Sequence, residues 1–568
     1  MSAGNGSVGG PDQLDTQALA NPEKDYSTNT KTKDGRYQDG AIREIRLGTG
    51  DEPADMRTVT GFKWLCAYTS ILATVFLFAI DGTIVADLQL SILESLGEVA
   101  KLPWIGVATS LGTLSILPHG KAYGTFNIKL YFIGCILGFE AASALCGAAP
   151  TMDALIVGRA FLGVFGSGVY SGGLVFVAVM TTVKERPIYF SGIIAMWGLG
   201  SVLGPVVGGA FAQSSATWRW GFYINLPIGA FFAPAFSLCL PSFNPKDISF
   251  AQKLRSMDMI SIVIFQIGAV CYTMAISFGG VQFAFDSPAE ISLWILTGVF
   301  LIVFALATIF HPGVSKEDRL YPAHLMKYFE IVNLQFQVFQ CLGGIMMAIY
   351  YIPLIFQFTR GDGPLDAGVR LLPLVCMMVL FTILNGWAMP KYGYYMPWWL
   401  FGNAMILVGS ALMFTVNSST SESNIYGYTC LIGIGVGCFL TAGISVAQTK
   451  VPASDMTNVV GFMTVAQNLG AVTFLGISGS VFQNIAVARL SELLPNVSDD
   501  EVLQLTTGIH STIYEGLDTN IQPAVIEQVT AAISNTFGIL VAGSALGFIG
   551  SLFLGVSIRI FALRLFVY

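Results

Sequence analysis

Three charged residues interrupt apolar segments in the first third of the chain. Asp81 lies in "LFAIDGTIVADLQ", Glu140 in "GCILGFEAASALCGAAP" and Arg159 in "ALIVGRAFLGVFGSGVYSGG". A charge near the centre of a bilayer costs about 2.5–3.5 kcal/mol on insertion scales, so such residues usually face a protein interior or a wet cavity. A carboxylate that loses and regains a proton, tuned by a nearby cation, can carry protons across a membrane. We therefore interpret these residues as proton-coupling candidates; the alternative is a structural polar cluster.

The elements that position these residues are membrane-spanning helices. The 568-residue chain is 54% hydrophobic and 11% charged, with a mean hydropathy of +0.67, whereas soluble domains carry about 25% charged residues. A helix needs about 20 apolar residues to cross a bilayer. We therefore predict an all-α membrane protein with fourteen spanning helices, near 62–86, 102–119, 130–149, 153–180, 188–212, 219–240, 257–279, 291–311, 329–356, 367–388, 395–416, 425–448, 456–483 and 536–557.

The distribution of basic residues predicts the orientation. An even number of spans puts both termini on one side, and the loops on that side hold most of the loop Lys and Arg. The opposite loops contain Lys101, Arg219, Arg360, Arg370 and Arg489. The positive-inside rule then places both termini in the cytoplasm. Two sequons, at Asn417 and Asn496, fall in predicted outer loops, where glycosylation is expected.

Composition also excludes several functions. Residues 1–60 are polar and contain almost no apolar run, so we predict a disordered cytoplasmic tail without a signal peptide. The net charge of −7 argues against nucleic-acid binding. The sequence has neither a "GxxxxGK[ST]" motif for ATP nor a His/Cys cluster for a metal. We therefore expect no cofactor, no metal and no enzymatic activity.

A glycine-rich segment, "WGLGSVLGPVVGGAF", occupies the fifth predicted span. Gly200, Gly204 and Gly208 are spaced four residues apart, so they form one stripe where another helix can approach closely. Pro205 removes a backbone hydrogen bond and introduces a bend, and Gly209 extends the segment. This pattern predicts a bent, closely packed helix whose neighbour can shift, as a protein that opens alternately to two sides requires.

Together these motifs resemble a known family. "GLGSVLGPVVGG" resembles the antiporter motif of the major facilitator superfamily, and "ALIVGRAFLGVFGSG" its basic-residue motif. "LFAIDGTIVA", "WRWGFYINLPIG" and "YYIPLIFQFTRGDGPLDAGVRLLP" resemble motifs of its fourteen-helix drug:proton antiporter family. The matches follow the family's order over residues 62–483. The chain looks most like fungal toxin and secondary-metabolite efflux pumps.

The resemblance implies an architecture. Two six-helix bundles would occupy 61–240 and 328–568, with an inserted pair, helices seven and eight, at 241–327 and a long outer loop at 484–535. One loop departs from the family pattern: "HGKAYGTFNIKLYF" has Gly124 where an Asp is expected and keeps Lys129 as one positive charge. We therefore do not expect the usual charged latch in that loop.

The resemblance also implies a function. We expect a proton-coupled efflux antiporter for a bulky, mostly apolar toxin, metabolite or drug, with Asp81 and Arg159 favoured for coupling and Glu140 as a second carboxylate. Its partners would be the substrate, protons and the lipid bilayer, and it would be a monomer in the plasma membrane, or alternatively a vacuolar or vesicle membrane. Siderophore transport, other small-molecule transport and sensing without pumping remain alternatives.

The substrate cavity is expected between the bundles. Aromatic rings there would stack on a bulky apolar molecule, and amides would hydrogen-bond to it. The alternative for each residue is ordinary helix packing. The candidates are Trp197, Phe222, Asn225, Tyr350, Tyr351, Phe356 and Gln357.

Overall fold

The structure is a computed structural model, and it describes most of the chain. The described residues are 59–98, 101–182, 185–212, 214–280, 282–316, 318–451, 455–495, 516–554 and the separate positions 497, 502, 505, 506 and 514. The predicted tail at 1–60 lies almost wholly outside the described residues, and so does Asn496.

The described residues up to 240 form a first group of helices. Polar caps fix two of the starts: the Asn127 side chain accepts hydrogen bonds from the backbone of Lys129 and Leu130, and Thr151 accepts one from Ala154. The helices are α1 (Gly61–Leu96), α2 (Leu102–Thr113), α3 (Ile116–Tyr123), α4 (Ile128–Gly147), α5 (Met152–Met180), α6 (Arg186–Ala212), α7 (Trp220–Tyr223) and α8 (Asn225–Leu238).

A second, smaller group follows. It comprises α9 (Phe250–Arg255), α10 (Met259–Phe278) and α11 (Pro288–Phe310), and a 3-10 turn at Ala323–Lys327 leads out of it. Asp258 caps α10 by accepting the Ser261 amide, and Ser287 caps α11. These two long helices occupy the predicted inserted pair.

The third group completes the fold. It comprises α12 (Phe329–Arg360), α13 (Pro364–Val369), α14 (Leu372–Tyr392), α15 (Met396–Phe414), α16 (Glu422–Gly437), α17 (Ala442–Thr449), α18 (Met456–Leu493) and α19 (Gln522–Leu552). In the described residues, 13 helical stretches are long and apolar enough to cross a membrane. The paired helices α2 and α3 occupy the remaining predicted span, 102–119, so the all-helical membrane fold is confirmed.

Two boundaries differ from the prediction. The span at 102–119 is broken at Leu114 and Ser115, because Pro118 has no amide hydrogen to donate to the Leu114 carbonyl. Helix also extends into both ends of the predicted outer loop at 484–535, since α18 continues to Leu493 and α19 begins at Gln522. Buried Val525, Val529 and Ile533 recur at helical spacing and pack in the core, which favours helix beyond the apolar span.

Helix contacts divide the described chain into two bundles. In the first, α1 packs along α6, α4 along α5, and α2 against α5; in the second, α12 packs along α18, α15 along α19, and α14 along α16. The bundles meet through α6 with α14 and through α3 with α18, while α10 touches both α2 and α18. We call the end of the molecule that carries Lys121, Arg186, Lys391 and Lys450 the basic end.

Candidate functional site

An ion pair lies inside the first bundle. Arg159 Nη1, on α5, donates to Asp81 Oδ2, on α1, over 2.7 Å. The side chains are 2% and 1% exposed. Arg159 lies seven residues after Met152 at the start of α5, about 10 Å along the helix axis, and that start is at the end opposite the basic end. The sequence named these two residues separately, and the fold places them in direct contact.

The surroundings of the pair are mostly apolar. Arg159 also donates to the backbone oxygens of Asp81 and Ile105, at 3.3 and 3.5 Å, and its guanidinium lies 5.7 Å from the Phe222 ring centroid. The second carboxylate oxygen, Asp81 Oδ1, is buried and has no hydrogen-bond partner among the described residues. Among the described residues, the Asp81 side chain therefore makes its hydrogen bond through one carboxylate oxygen only.

A buried pair of this kind is sensitive to the charge of each member. Removing one partner of a buried ion pair typically costs about 3–5 kcal/mol, because an uncompensated charge remains in a low-dielectric interior. Protonation of Asp81 has a similar physical effect, since it removes the charge that balances Arg159. The ion pair is thus a charge-dependent part of the contact between α1 and α5.

The glycine stripe of α6 lies against α1 beside this pair. A Cβ added at Gly204 would lie 2.0 Å from Thr83 Oγ1, and one added at Gly200 would lie 2.7 Å from the Ala79 Cβ. Such distances are shorter than real carbon contacts, so only glycine allows this approach. Thr83 lies two residues after Asp81, so the close crossing and the ion pair share one segment of α1.

Other residues of the motif differ in their surroundings. Gly208 is buried, whereas a Cβ added at Gly209 would meet nothing within 4 Å. The Pro205 side chain lies outside the described side chains. Gly198 faces the second bundle, where an added Cβ would lie 2.9 Å from Val375 Cγ1 of α14. Helix α6 therefore connects the ion-pair helix α1 to the second bundle.

The third charged candidate lies elsewhere. Glu140 of α4 is half-buried and faces Gly229 of α8, where an added Cβ would lie 2.2 Å from Glu140 Oε1. Its Oε2 atom is buried without a hydrogen-bond partner among the described residues. In the part of the chain that the structure describes, no ion pair joins Glu140 to Arg159. The two carboxylates therefore occupy separate helix contacts.

The cavity candidates fall into two groups. Trp197, Tyr351 and Phe356 pack in an apolar cluster that contains residues of both bundles. Phe222 packs in the first-bundle cluster, and the fully buried Asn225 donates to Ser143 Oγ over 2.8 Å. Asn225 thus ties α8 to α4.

Two further candidates lie near the middle and end of α12. Tyr350 is 55% exposed, and its ring lies 5.3 Å from that of Tyr351. Gln357 is half-buried next to the buried Phe356, whose ring lies 4.8 Å from the Arg370 guanidinium. The seven candidates thus lie in the cluster shared by the bundles, in the first bundle and along α12.

Sequence reasoning missed a buried amide cluster in the second bundle. Gln340 Nε2 of α12 donates to Asn403 Oδ1 of α15 over 2.6 Å, and Asn403 Nδ2 donates to Gln337 Oε1 over 2.9 Å. Gln337 Nε2 in turn donates to the Gly547 carbonyl of α19 over 2.7 Å. The signal was present in "EIVNLQFQVFQ", where Asn333, Gln337 and Gln340 recur at helical spacing within an apolar helix.

The predicted glycosylation site Asn417 lies on an exposed turn between α15 and α16, at the end opposite the basic end. Its Oδ1 accepts a hydrogen bond from the Ser419 hydroxyl over 2.7 Å. The second sequon, at Asn496, is outside the described residues.

The helical membrane fold and the motifs of the chain point to a class of membrane transporter. A family model described as the Major Facilitator Superfamily matches residues 70–475. The chain belongs to the Major Facilitator Superfamily, as its motifs predicted.

Comparison with individual proteins narrows the class. The chain is 47% identical over 523 residues to "Efflux pump DEP3" of Fusarium langsethiae, covering 91% of this chain and 95% of that protein. It is 49% identical over 496 residues to "Efflux pump DEP3" of Alternaria brassicicola, covering 87% and 88%. Its similarity to fungal efflux pumps is thus confirmed.

Solved structures support the fold. The human organic anion transporter MFSD10 (TETRAN) aligns with a TM-score of 0.54 at 12% identity, covering 85% of this chain and 100% of that one. The proton:xylose symporter XylE also aligns with a TM-score of 0.54, at 12% identity, covering 86% and 96%. At 12% sequence identity, these two structures show that the fold is shared and nothing about function.

Proposed function

We propose that the chain is a proton-coupled exporter of a bulky, mostly apolar small molecule, such as a fungal toxin, a secondary metabolite or a drug. The relatives named efflux pumps support the direction of transport. The buried pair of Asp81 and Arg159 is the observation that supports proton coupling, because charged residues inside an apolar bundle are costly and rare, and usually mark an ion or proton pathway. A proton moving inward supplies about 2.3 kcal/mol per 100 mV of membrane potential.

The coupling would work through helix contacts. Asp81 Oδ2 holds Arg159, while Oδ1 is without a partner among the described residues. When the pair opens to water on one side, a proton binds the carboxylate and its attraction for Arg159 falls. The α1–α5 contact then loosens, and α6, whose glycine stripe packs on α1, carries the change to the second bundle.

A flux assay in reconstituted vesicles with an imposed pH gradient tests this proposal. Asp81→Asn should abolish uphill accumulation while leaving substrate binding measurable, because the amide cannot exchange a proton. Asp153→Asn is a matched control, since Asp153 is an exposed acid on the same helix as Arg159. Its accumulation should equal that of the unmodified protein.

The second carboxylate makes the test sharper. If Glu140 carries the proton instead, Glu140→Gln loses uphill accumulation and Asp81→Asn retains it. Uphill accumulation by both variants would mean that the proton passes elsewhere or that another ion drives the pump.

We propose further that the basic end faces the cytoplasm, with both termini there, in a monomer of the plasma membrane. The bundles would span 61–240 and 328–568, with the inserted pair and its linkers at 241–327. The loop Lys and Arg favour this orientation. A protease added outside intact cells should leave the tail at 1–60 uncut, because the membrane shields it. Cleavage of the tail by external protease would contradict this orientation.

We propose that the substrate contacts the aromatic residues shared by the two bundles, above all Trp197 and Tyr351. Trp197→Ala and Tyr351→Ala should then raise the KM for export more than they lower the maximal rate. Phe222 and Asn225 remain weaker candidates, because both make their contacts within the first bundle. An unchanged KM in both variants would place the substrate elsewhere.

A further inference from the structure

A segment after the inserted helices crosses the basic end of the molecule. We call residues 318–327 the strap. It follows α11 and leads into α12. Its beginning is fixed to the start of α10, because the backbone amide of Leu320 donates to Asp258 Oδ2 over 3.1 Å. Asp258 is itself 1% exposed.

One side of the strap is attached to the first bundle by charge. The carboxylate of Asp318 forms ion pairs with Lys121 of α3 and with Lys246 of the linker between α8 and α9. Lys121 Nζ lies 3.5 Å from Asp318 Oδ1. The Ser315 hydroxyl also donates to Asp318. The Lys121 side chain is only 8% exposed, and a buried ammonium needs a partner. Asp318 therefore supplies the counter-charge for α3.

The other side of the strap is attached to the second bundle. The Tyr321 ring lies 5.2 Å from that of Phe462 on α18. Gln335 donates to the Tyr321 hydroxyl over 3.2 Å and to the Phe462 carbonyl over 3.1 Å. Further along, His324 Nε2 lies 3.1 Å from Asp455 Oδ2, just before α18. The strap thus contacts both bundles.

Beneath the strap the two bundles touch. A Cβ added at Gly120 of α3 would lie 3.1 Å from the Cα of Gly461 on α18. Leu320 and Pro322 of the strap line one small cleft together with these two glycines, among other residues. Any separation of α3 from α18 at this end must therefore stretch or release the strap.

The turn between α3 and α4 lacks the acidic residue that the family pattern predicts there. Gly124 occupies the position where an acid was expected, and within the described residues the carboxylate that pairs with Lys121 comes from the strap. Charge pairing at this turn is therefore supplied by a segment nearly 200 residues later in the chain.

We propose that Asp318 is a positioning residue that fastens the strap over the crossing of α3 and α18, and so holds the basic end closed. Opening at this end requires the Asp318–Lys121 contact to break, so the inserted helices α10 and α11 take part in alternating access through the strap. This inference rests on the proposed function only where transport is measured. The contact of the strap with α3 and α18 can be measured in the protein without substrate or a pH gradient.

The charges that act on Asp318 are those of Lys121 and Lys246, and the charge of Asp258 acts in turn on Lys121. Burial raises the pKa of Asp318, but hydrogen bonds from Lys246 and Ser315 and the charge of Lys121 outweigh it, so the pKa lies below its ordinary value. A free Asp has a pKa of about 3.9. Asp318 therefore stays ionised at every pH used for transport, which separates its role from that of a coupling carboxylate.

Hydrogen exchange of the full-length protein in lipid nanodiscs tests the contact. Asp318→Asn should speed exchange at the basic ends of α3 and α18, with the rest of the protected amides unchanged. Asp247→Asn, an exposed acid on the neighbouring linker, should leave both regions as they were. Unchanged exchange in Asp318→Asn, or faster exchange throughout the chain, would contradict the proposal.

Transport kinetics give the second readout. In Asp318→Asn, the KM for substrate presented at the basic end should fall about fivefold, which is the upper end of the effects measured for solvent-exposed ion pairs. The maximal rate should also fall. The change should be the same between pH 5.5 and pH 7, because burial lowers the pKa of Lys121 only to about 8 and both members of the pair stay charged over that range. Asp318→Glu should restore the original KM. An unchanged KM with a lower rate would indicate a merely structural role and overturn the proposal.

A double-mutant cycle isolates the pair. The exchange effects of Asp318→Asn and Lys121→Gln should be less than additive if the two residues act through one contact. Additive effects would contradict it. If the unmodified protein shows no pH-driven accumulation, the proposed function fails while the exchange result still decides the role of the strap.

Discussion

Two buried polar clusters occupy the two bundles, and they differ in kind. The first bundle holds a charged pair, Asp81 with Arg159. The second holds the neutral amides of Gln337, Gln340 and Asn403, joined by hydrogen bonds of 2.6 to 2.9 Å. Each cluster joins different helices, and each is almost completely buried.

The two clusters are therefore suited to different roles: the charged pair can respond to a proton, and the amide cluster can hold helices together. An amide cluster keeps the same charge at any pH that a cell experiences, so it can only hold α12, α15 and α19 together. A carboxylate beside a guanidinium gains or loses its charge with one proton, and the strength of its helix contact follows. We therefore expect transport coupling to depend on the first cluster and thermal stability to depend more on the second.

The largest effect is expected at the charged pair. Arg159→Gln leaves Asp81 buried without its partner, which should lower stability by about 3–5 kcal/mol. The double variant Asp81→Asn with Arg159→Gln resembles the amide cluster, so it should regain most of the lost stability. Its uphill transport should nevertheless stay absent, because no group at the site can exchange a proton.

Thermal unfolding in detergent and vesicle flux measure the two properties separately. Recovery of pH-driven transport in the double variant would contradict the proposed difference between the two clusters, since a neutral cluster would then suffice for coupling.

A smaller but still large effect is expected at the glycine stripe next to the pair. Gly204→Leu forces side-chain atoms into Thr83 and the α1 backbone, and overpacking of this kind costs about 1–3 kcal/mol. Transport should fall sharply while the protein still inserts, because α6 can no longer approach α1. Gly209→Leu is the matched control, since its Cβ meets nothing within 4 Å; equal flux in the two variants would show that the stripe is not a packing face.

The smallest effect on transport is expected in the amide cluster. Gln340→Leu leaves Asn403 Oδ1 without the donor that binds it at 2.6 Å, which should cost about 1–3 kcal/mol of stability. The melting temperature should fall while the accumulation ratio at a given pH gradient stays unchanged. Asn424→Leu, at an exposed position of α16, serves as the control. Loss of coupling in Gln340→Leu would show that the second bundle also takes part in the switch.

The helices and the family were predictable because their signals are local. Apolar runs of about 20 residues define spans by length alone, and the stripe of Gly200 and Gly204 follows from spacing. The break between α2 and α3 was missed, although Pro118 marks it. The start of α19 at Gln522 was missed because that part of the helix is amphipathic rather than continuously apolar.

The sequence by itself determined which residues are out of place in a membrane, namely Asp81, Glu140 and Arg159, since a charge in an apolar run is visible without a fold. Only the tertiary structure decided which of them meet. Asp81 and Arg159 are 78 positions apart and form a pair, while Glu140 lies against Gly229. The tertiary structure also decided that Asp318 pairs with Lys121, although the two residues are 197 positions apart in the chain. Such pairings depend on how whole helices are arranged, and residue spacing along the chain carries no record of that arrangement.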